Sequence, residues 1–268
     1  MMATYGFIGT GNMGGALARA VCRTVSPDQV FLTNRTAEKA QALAAELGCS
    51  VALDNGAVAR SADFIFLGVK PQMMADMLSD IAPVLAERET RFVLVTMAAG
   101  LTIADIQTMA GGDWPVIRIM PNTPASIGEG MILYTVGKGV SAPERKAFLT
   151  DMAAAGRFSE LPEHLMDAGS AVSGCGPAFA DLFLEALADG GVACGLPRAQ
   201  AMELAAQMLS GSARLALESG KHPGALKDAV CSPGGTTIQG VRVLEQNGFR
   251  SAVMEAVIAA YEKTLKLK

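Results

Sequence analysis

The stretch that most constrains this chain is residues 5–16, Tyr-Gly-Phe-Ile-Gly-Thr-Gly-Asn-Met-Gly-Gly-Ala. Gly9, Gly11 and Gly14 form a G-x-G-x-x-G pattern directly after an apolar run at 4–8 and at the opening of a helical segment over 12–25. In that setting each glycine has a mechanical task. The first allows a tight turn, the second lets the backbone approach a pyrophosphate, and the third lets the helix pack on the strand. The helix start then offers free N–H groups and partial positive charge to phosphate oxygens. Ile8, Thr10, Asn12 and Met13 complete this candidate cofactor-binding turn. A glycine-rich turn that binds nothing is the alternative, and the flanking strand and helix weigh against it.

Short apolar runs recur at 30–33, 64–69, 92–96, 116–120 and 131–136, with helical segments at 36–47 and 72–86 between them. Several runs are apolar at consecutive positions, as strands covered on both faces are. This βαβ rhythm predicts an α/β Rossmann domain with a doubly wound, mostly parallel sheet. After about residue 160 the rhythm stops. Segments 178–194, 197–217 and 249–266 have helical spacing, and Phe249, Val253, Val257, Tyr261 and Leu265 repeat at four-residue steps. The expected division is therefore 1–160, a dinucleotide-binding domain, and 161–268, an all-α domain. Ala- and Leu-rich helices of this kind often bury surface between subunits, which points to a homo-oligomer.

Composition removes other classes. Half of the 268 residues are hydrophobic and 18% are charged, which excludes a disordered chain. Lys plus Arg number 22 against 26 Asp plus Glu, for a net charge of −4 and no basic cluster, so nucleic acid is not an expected partner. Five widely spaced cysteines without a CxxC pair argue against zinc and against a disulfide framework, so no metal is expected. The first basic residue is Arg19, unlike a secretory signal. No uninterrupted run reaches the roughly 18 apolar residues that span a bilayer. The expectation is a cytoplasmic protein that does not use a membrane.

The tip of the second strand selects between nicotinamide cofactors. An NAD site wants Asp or Glu there, to bond the ribose 2′-hydroxyl. This chain has Asn34-Arg35-Thr36. Arg35 can pair with a 2′-phosphate and stack on adenine, and Asn34 and Thr36 can add neutral hydrogen bonds. The expected cofactor is NADP(H), with NAD(H) at lower preference. A solvated Arg35 is the bland alternative. Three further loops follow strands and should lie along the cofactor: Val69-Lys70-Pro71, the loop holding Ala98 and Ala99, and Met120-Pro121-Asn122-Thr123-Pro124. For Lys70, a surface cation beside a turn proline is an equal alternative.

Two loops stand out in the second half. Ser173-Gly174-Cys175-Gly176-Pro177 opens a long helix, and Ser232-Pro233-Gly234-Gly235-Thr236-Thr237 precedes another. The latter offers backbone N–H groups and three hydroxyls at a helix start, a cradle for a carboxylate. A simple helix cap explains it equally well.

Residues 6–14, Val69-Lys70-Pro71, 120–125, 173–179 and 232–240 together resemble the pyrroline-5-carboxylate reductase family, in the same order and over essentially the whole chain. The resemblance implies NAD(P)H-dependent reduction of 1-pyrroline-5-carboxylate to L-proline. It implies dimers through the helical domain, with rings of dimers in some members. It places the substrate between the nicotinamide and the 232–237 loop. By position, Ser232 and Thr237, with Gly235 and Thr236, hold the substrate carboxylate. Thr237 also reaches the ring nitrogen, and Ser232 and Thr237 are the catalytic candidates. Asn55 matches a ribose contact, and Glu163 an acidic position near the substrate. Ala229 and Cys175 depart from residues that some members carry there.

The chemistry suits this inventory, because a protonated imine is already electrophilic and needs no strong base. Orientation against the cofactor would do much of the catalysis. Two other classes compete: a 3-hydroxyacid dehydrogenase-like oxidoreductase and a non-catalytic NADP-binding protein. The first uses a lysine on a helix after a Gly-rich loop, and no lysine lies between Ser173 and Pro197. The second is disfavoured by the presence of both Ser232 and Thr237.

Overall fold

The computed structural model describes residues 3–266. Among these, eight strands form one sheet: β1 (Tyr5–Ile8), β2 (Val30–Thr33), β3 (Ser50–Val51), β4 (Phe64–Leu67), β5 (Val93–Thr96), β6 (Val116–Met120), β7 (Gly130–Val136) and β8 (Gly156–Glu160). Their order is β3-β2-β1-β4-β5-β6-β7-β8. Neighbours are parallel except β6 and β7. The central strands β1, β4, β5 and β6 are buried at every position. That explains their continuous apolar runs: helices cover both faces and no position faces water.

On one face, α1 (Asn12–Val21) and α2 (Ala37–Leu47) pack with Phe7, Phe66 and Ile119; α6 (Ala142–Asp151) adds Phe148. On the other, α3 (Asn55–Ser61), α4 (Met74–Ala86) and α5 (Ile103–Met109) pack with Ile65, Leu67 and Val116. A third cluster joins Met120 and Leu133 to Met166 of α7 (Met166–Ser173). The expected doubly wound, mostly parallel sheet is present, and β3, β8, α3, α5, α6 and α7 add to it.

From there on the chain is helical: α8 (Gly176–Ala193), α9 (Arg198–Ser219), α10 (Pro223–Val230), α11 (Thr236–Gln246) and α12 (Phe249–Leu265). The chain divides into two compact units. One runs to Cys175 and includes the chain from Ala260 on; the other is Gly176–Ala259. The first unit thus extends past residue 160 to include α7.

The second unit has almost no core. Its buried hydrophobic residues are the small Ala188, Ala201 and Ala205, while Leu182 and Leu217 are each 69% exposed. Phe249 and Val253, from the periodic stripe of α12, are also exposed. Helices with this composition are stable when something covers them. The helical run Glu163–Ala193 is long enough, and apolar enough over an 18-residue window of mean hydropathy 1.2, to cross a membrane by length and composition alone. The sequence expectation missed it because Ser and Gly interrupt the apolar run without lowering its average much.

Candidate active site

The turn after β1 behaves as its glycines require. Gly9 has a φ of +99°, and a Cβ there would lie 2.7 Å from the Gly68 carbonyl oxygen. The turns after β1 and β4 therefore pass backbone against backbone. At Gly14 a Cβ would lie 2.2 Å from the Gly9 carbonyl oxygen, so the helix packs directly on the turn. At Gly11 a Cβ meets nothing within 4 Å. The space above Gly11 is open, as a ligand's approach demands.

Gly11 caps α1 without any side-chain hydrogen bond, and no acidic residue stands in the first turn. Those amides are left for an anion. The Thr10 hydroxyl is buried and has no partner. Thr10, Gly11, Asn12 and Gly15 line a groove of about 340 Å³ with Lys39 and Leu43 of α2. At its far end Arg19 grips Glu46 with two hydrogen bonds, at 2.7 and 2.6 Å. A dinucleotide's phosphates fit this donor set: open space, uncapped amides and an orphaned hydroxyl.

The second strand ends in the expected triplet. Asn34, expected to hydrogen-bond the cofactor, makes one internal hydrogen bond at each end of its amide. Its oxygen accepts the Thr10 N–H at 3.1 Å, and its nitrogen donates to the Thr36 carbonyl at 3.0 Å. Arg35 is exposed, and its Nη1 lies 3.9 Å from the Met73 sulfur. That contact brings Arg35 to the loop that starts with Lys70 and Pro71. Thr36 opens α2 with its hydroxyl making no cap bond. Lys70 is exposed, and Val69 packs against the α4 side of the core. Asn55 is the first residue of α3, whose cap is Asp54 accepting the Ala57 N–H at 2.7 Å.

Beyond β5, Ala98 is buried and Ala99 packs against the Met120 cluster. Beyond β6, Asn122 is occupied much as Asn34 is. Its nitrogen donates to the Ser173 carbonyl at 3.0 Å, and its oxygen accepts the Met131 N–H at 2.9 Å. Pro124 sits in the single 3-10 turn that follows. Glu163, expected near the substrate, has one carboxylate oxygen engaged: it accepts the Ile103 N–H at 2.7 Å and lies 3.7 Å from Arg118 Nη1. Sequence reasoning missed Arg118, whose only signal is a charge within an apolar strand.

In the second unit, Ser232-Pro233-Gly234-Gly235 forms a turn closed by the Gly235 N–H donating to the Ser232 carbonyl at 3.0 Å. Gly234 has a φ of +68°, the left-handed position that a Pro-Gly turn of this kind needs. Gly235 caps α11 with no side-chain bond. A Cβ at Gly235 would fall 2.4 Å from the Ser232 hydroxyl oxygen, so any side chain there would have to turn that hydroxyl away from its present place. Thr236 and Thr237 are the first two residues of α11 and are exposed. Bare amides and three hydroxyls therefore share one helix start. His222 caps α10, its Nδ1 accepting the Gly224 N–H at 3.0 Å.

Comparison with known proteins bears on both halves. Residues 163–267 match the family described as pyrroline-5-carboxylate reductase dimerisation. Residues 4–100 match the family described as NADP oxidoreductase, coenzyme F420-dependent. The pyrroline-5-carboxylate reductase of Escherichia coli (strain K12) is 42% identical, over 100% of this chain and 99% of the relative. A Plasmodium falciparum pyrroline carboxylate reductase solved with NADP bound is 33% identical, with a TM-score of 0.86 over 99% of each chain. A pyrroline-5-carboxylate reductase from Coxiella burnetii is 30% identical, with a TM-score of 0.90 over 100% of this chain and 99% of that one.

Proposed function

Because the chain belongs to the pyrroline-5-carboxylate reductase family, we propose that it reduces the cyclic imine 1-pyrroline-5-carboxylate to L-proline at the expense of NADPH. The observation that carries this reading is the 42% identity over the full length of both chains. The uncapped helix start at Ser232–Thr237 supports it independently.

In this reading the bound cofactor supplies hydride to the ring carbon of the imine. The chain's own residues do the rest. The amides opening α1, with Thr10 and the open face of Gly11, hold the pyrophosphate. Arg35, with Thr36, holds the 2′-phosphate, which makes NADPH preferred over NADH. Asn34 acts indirectly, by fixing the Thr10 amide. Lys70, Pro71 and Val69 border the same end of the sheet, as do Ala98, Ala99 and the Asn122–Pro124 loop. Asn55 is assigned to the ribose. Ser232, Gly235, Thr236 and Thr237 hold the substrate carboxylate, and the Thr237 hydroxyl reaches the imine nitrogen. Glu163 keeps one oxygen for the substrate region.

The working form is a homodimer assembled through residues 163–267, with larger rings of dimers as a further step. The partner subunit covers the apolar surface that α8, α9 and α12 leave open, including part of the Glu163–Ala193 run. No membrane or nucleic acid is needed, and the cytoplasm is the proposed compartment.

A steady-state assay tests the reading. The expected result is loss of NADPH absorbance with the imine, faster than with NADH. Turnover of a 3-hydroxy acid with an oxidised nicotinamide, and none of the imine, would replace it with the dehydrogenase reading.

A further inference from the structure

Arg118 is the largest fully buried side chain among the described residues, at 1% exposure. It lies in β6, beside the buried Thr96 of β5 and Thr135 of β7 in the strand register. Its Nη2 is 2.5 Å from Asp167 Oδ1 in the first turn of α7, and its Nη1 is 3.7 Å from Glu163 Oε1. The same Glu163 oxygen accepts the first N–H of α5. One guanidinium therefore joins β6, α5 and α7. The other end of α7 is tied down as well, where Asn122 donates to the Ser173 carbonyl.

Stability does not account for this arrangement. An apolar set of the same volume is commonly as stable as a buried ion pair or more so, because both charges lose their hydration. Arg118 Nε is also buried without a partner, which adds to the cost. A guanidinium fork on carboxylates fixes position more sharply than apolar contacts, which slide. The loop beyond β5 starts next to Thr96, the register neighbour of Arg118, and the loop beyond β6 starts after Met120, two residues past Arg118; Ala99 and Met120 share one apolar cluster.

We propose that Arg118, with Asp167 and Glu163, is a positioning group for the reduction. It sets the register of α5 and α7 against the carboxyl end of β6. Through that register it holds the Ala98–Ala99 and Met120–Pro124 loops where the nicotinamide must lie. The inference rests on the reductase reading.

The test compares wild type with the double variant Arg118→Met/Asp167→Leu and with Arg118→Lys. The double variant should melt at or near the wild-type temperature and keep near wild-type NADPH affinity. Its kcat should fall about ten- to hundredfold, the scale of a small misplacement of reacting groups, with KM little changed. Amide exchange at 98–100 and 120–124 should quicken even without turnover. Arg118→Lys, which keeps the charge but loses the fork, should lose less kcat. A folded double variant with wild-type kcat and wild-type exchange overturns the proposal. If the double variant does not fold, Arg118→Lys with wild-type kcat and exchange overturns it. A wild-type protein inert toward the imine would defeat the reductase reading instead, and the exchange data would still judge the network.

Discussion

The Asn34 side-chain oxygen accepts the Thr10 N–H at 3.1 Å, which ties the turn after β1 to the turn after β2. In the proposed cofactor site this one amide braces the turns assigned to the pyrophosphate and to the 2′-phosphate. Replacing it, as in Asn34→Ala, removes neutral hydrogen bonds worth about 0.5–1.5 kcal/mol each. NADPH affinity should weaken by about two- to tenfold, and NADH affinity by the same factor, since the brace serves both. Titration of nicotinamide fluorescence measures this. A loss confined to NADPH would mean that Asn34 contacts the 2′-phosphate directly.

Arg35 should behave differently. In the proposed site, Arg35→Ala would remove a charge-assisted contact of about 1.5–3 kcal/mol that NADH, lacking the 2′-phosphate, does not make. The NADPH-to-NADH preference in kcat/KM should drop about ten- to hundredfold. An unchanged preference would assign the selectivity elsewhere.

Two glycines of one motif should fail in opposite ways. A Cβ at Gly14 collides with the Gly9 carbonyl oxygen at 2.2 Å, whereas one at Gly11 meets nothing within 4 Å. Gly14→Ala should therefore lower Tm strongly. Gly11→Ala should leave Tm near wild type, yet weaken binding of both nicotinamide cofactors by blocking the backbone's approach. Thermal melts paired with binding titrations separate the two. Equal affinity in Gly11→Ala would remove that position from the site.

Acid sensitivity has an identifiable contributor at Glu144. Burial pushes its carboxyl up, but hydrogen bonds from Arg91 and Ser141, with the Arg91 charge, outweigh this and hold it at about 2 against an ordinary 4.5. A carboxyl with a depressed folded-state pKa adds stability above its unfolded value and loses it as pH falls through the folded one. The contribution is thus complete above about pH 5 and lost between roughly 4.5 and 2. Glu144→Gln should lower Tm at pH 7 and flatten the dependence of Tm on pH in that window. A variant with the wild-type slope there would show that other carboxyls set the acid limit.

The sheet's centre was legible because burial on both faces leaves an unbroken apolar run, as in Phe64–Leu67. The edges were not. Ser50–Val51 is too short to show a period, and Gly156–Glu160 is a half-exposed strand that reads as polar. The short α5 and α6 escaped periodicity. Their capping boxes, Thr102 with Asp105 and Ser141 with Glu144, were the signals that mark them. The glycine turn after β1 was legible because its glycines answer to backbone geometry alone. The internal duties of Asn34 and Asn122 were not, since each partner lies on another loop and only the folded chain brings them together. Arg118 was invisible for the same reason: its partners stand 45 and 49 positions later in the sequence.

Thr237 carries the most specific claim about the substrate loop. Thr237→Val roughly keeps the shape and removes the hydroxyl. A loss in kcat/KM of about tenfold would indicate positioning, while general acid help would appear as about 10²–10⁴-fold. Wild-type kcat/KM in a folded variant with normal NADPH affinity would leave the residue with neither role.

The central claim is hydride transfer from NADPH to the imine carbon, and isotope transfer measures it most directly. Incubating the wild-type protein with 1-pyrroline-5-carboxylate and NADPH deuterated at the transferable nicotinamide position should yield L-proline heavier by a single deuterium on the former imine carbon, in proportion to the cofactor oxidised. Proline without the label, or cofactor oxidation without proline, would contradict it.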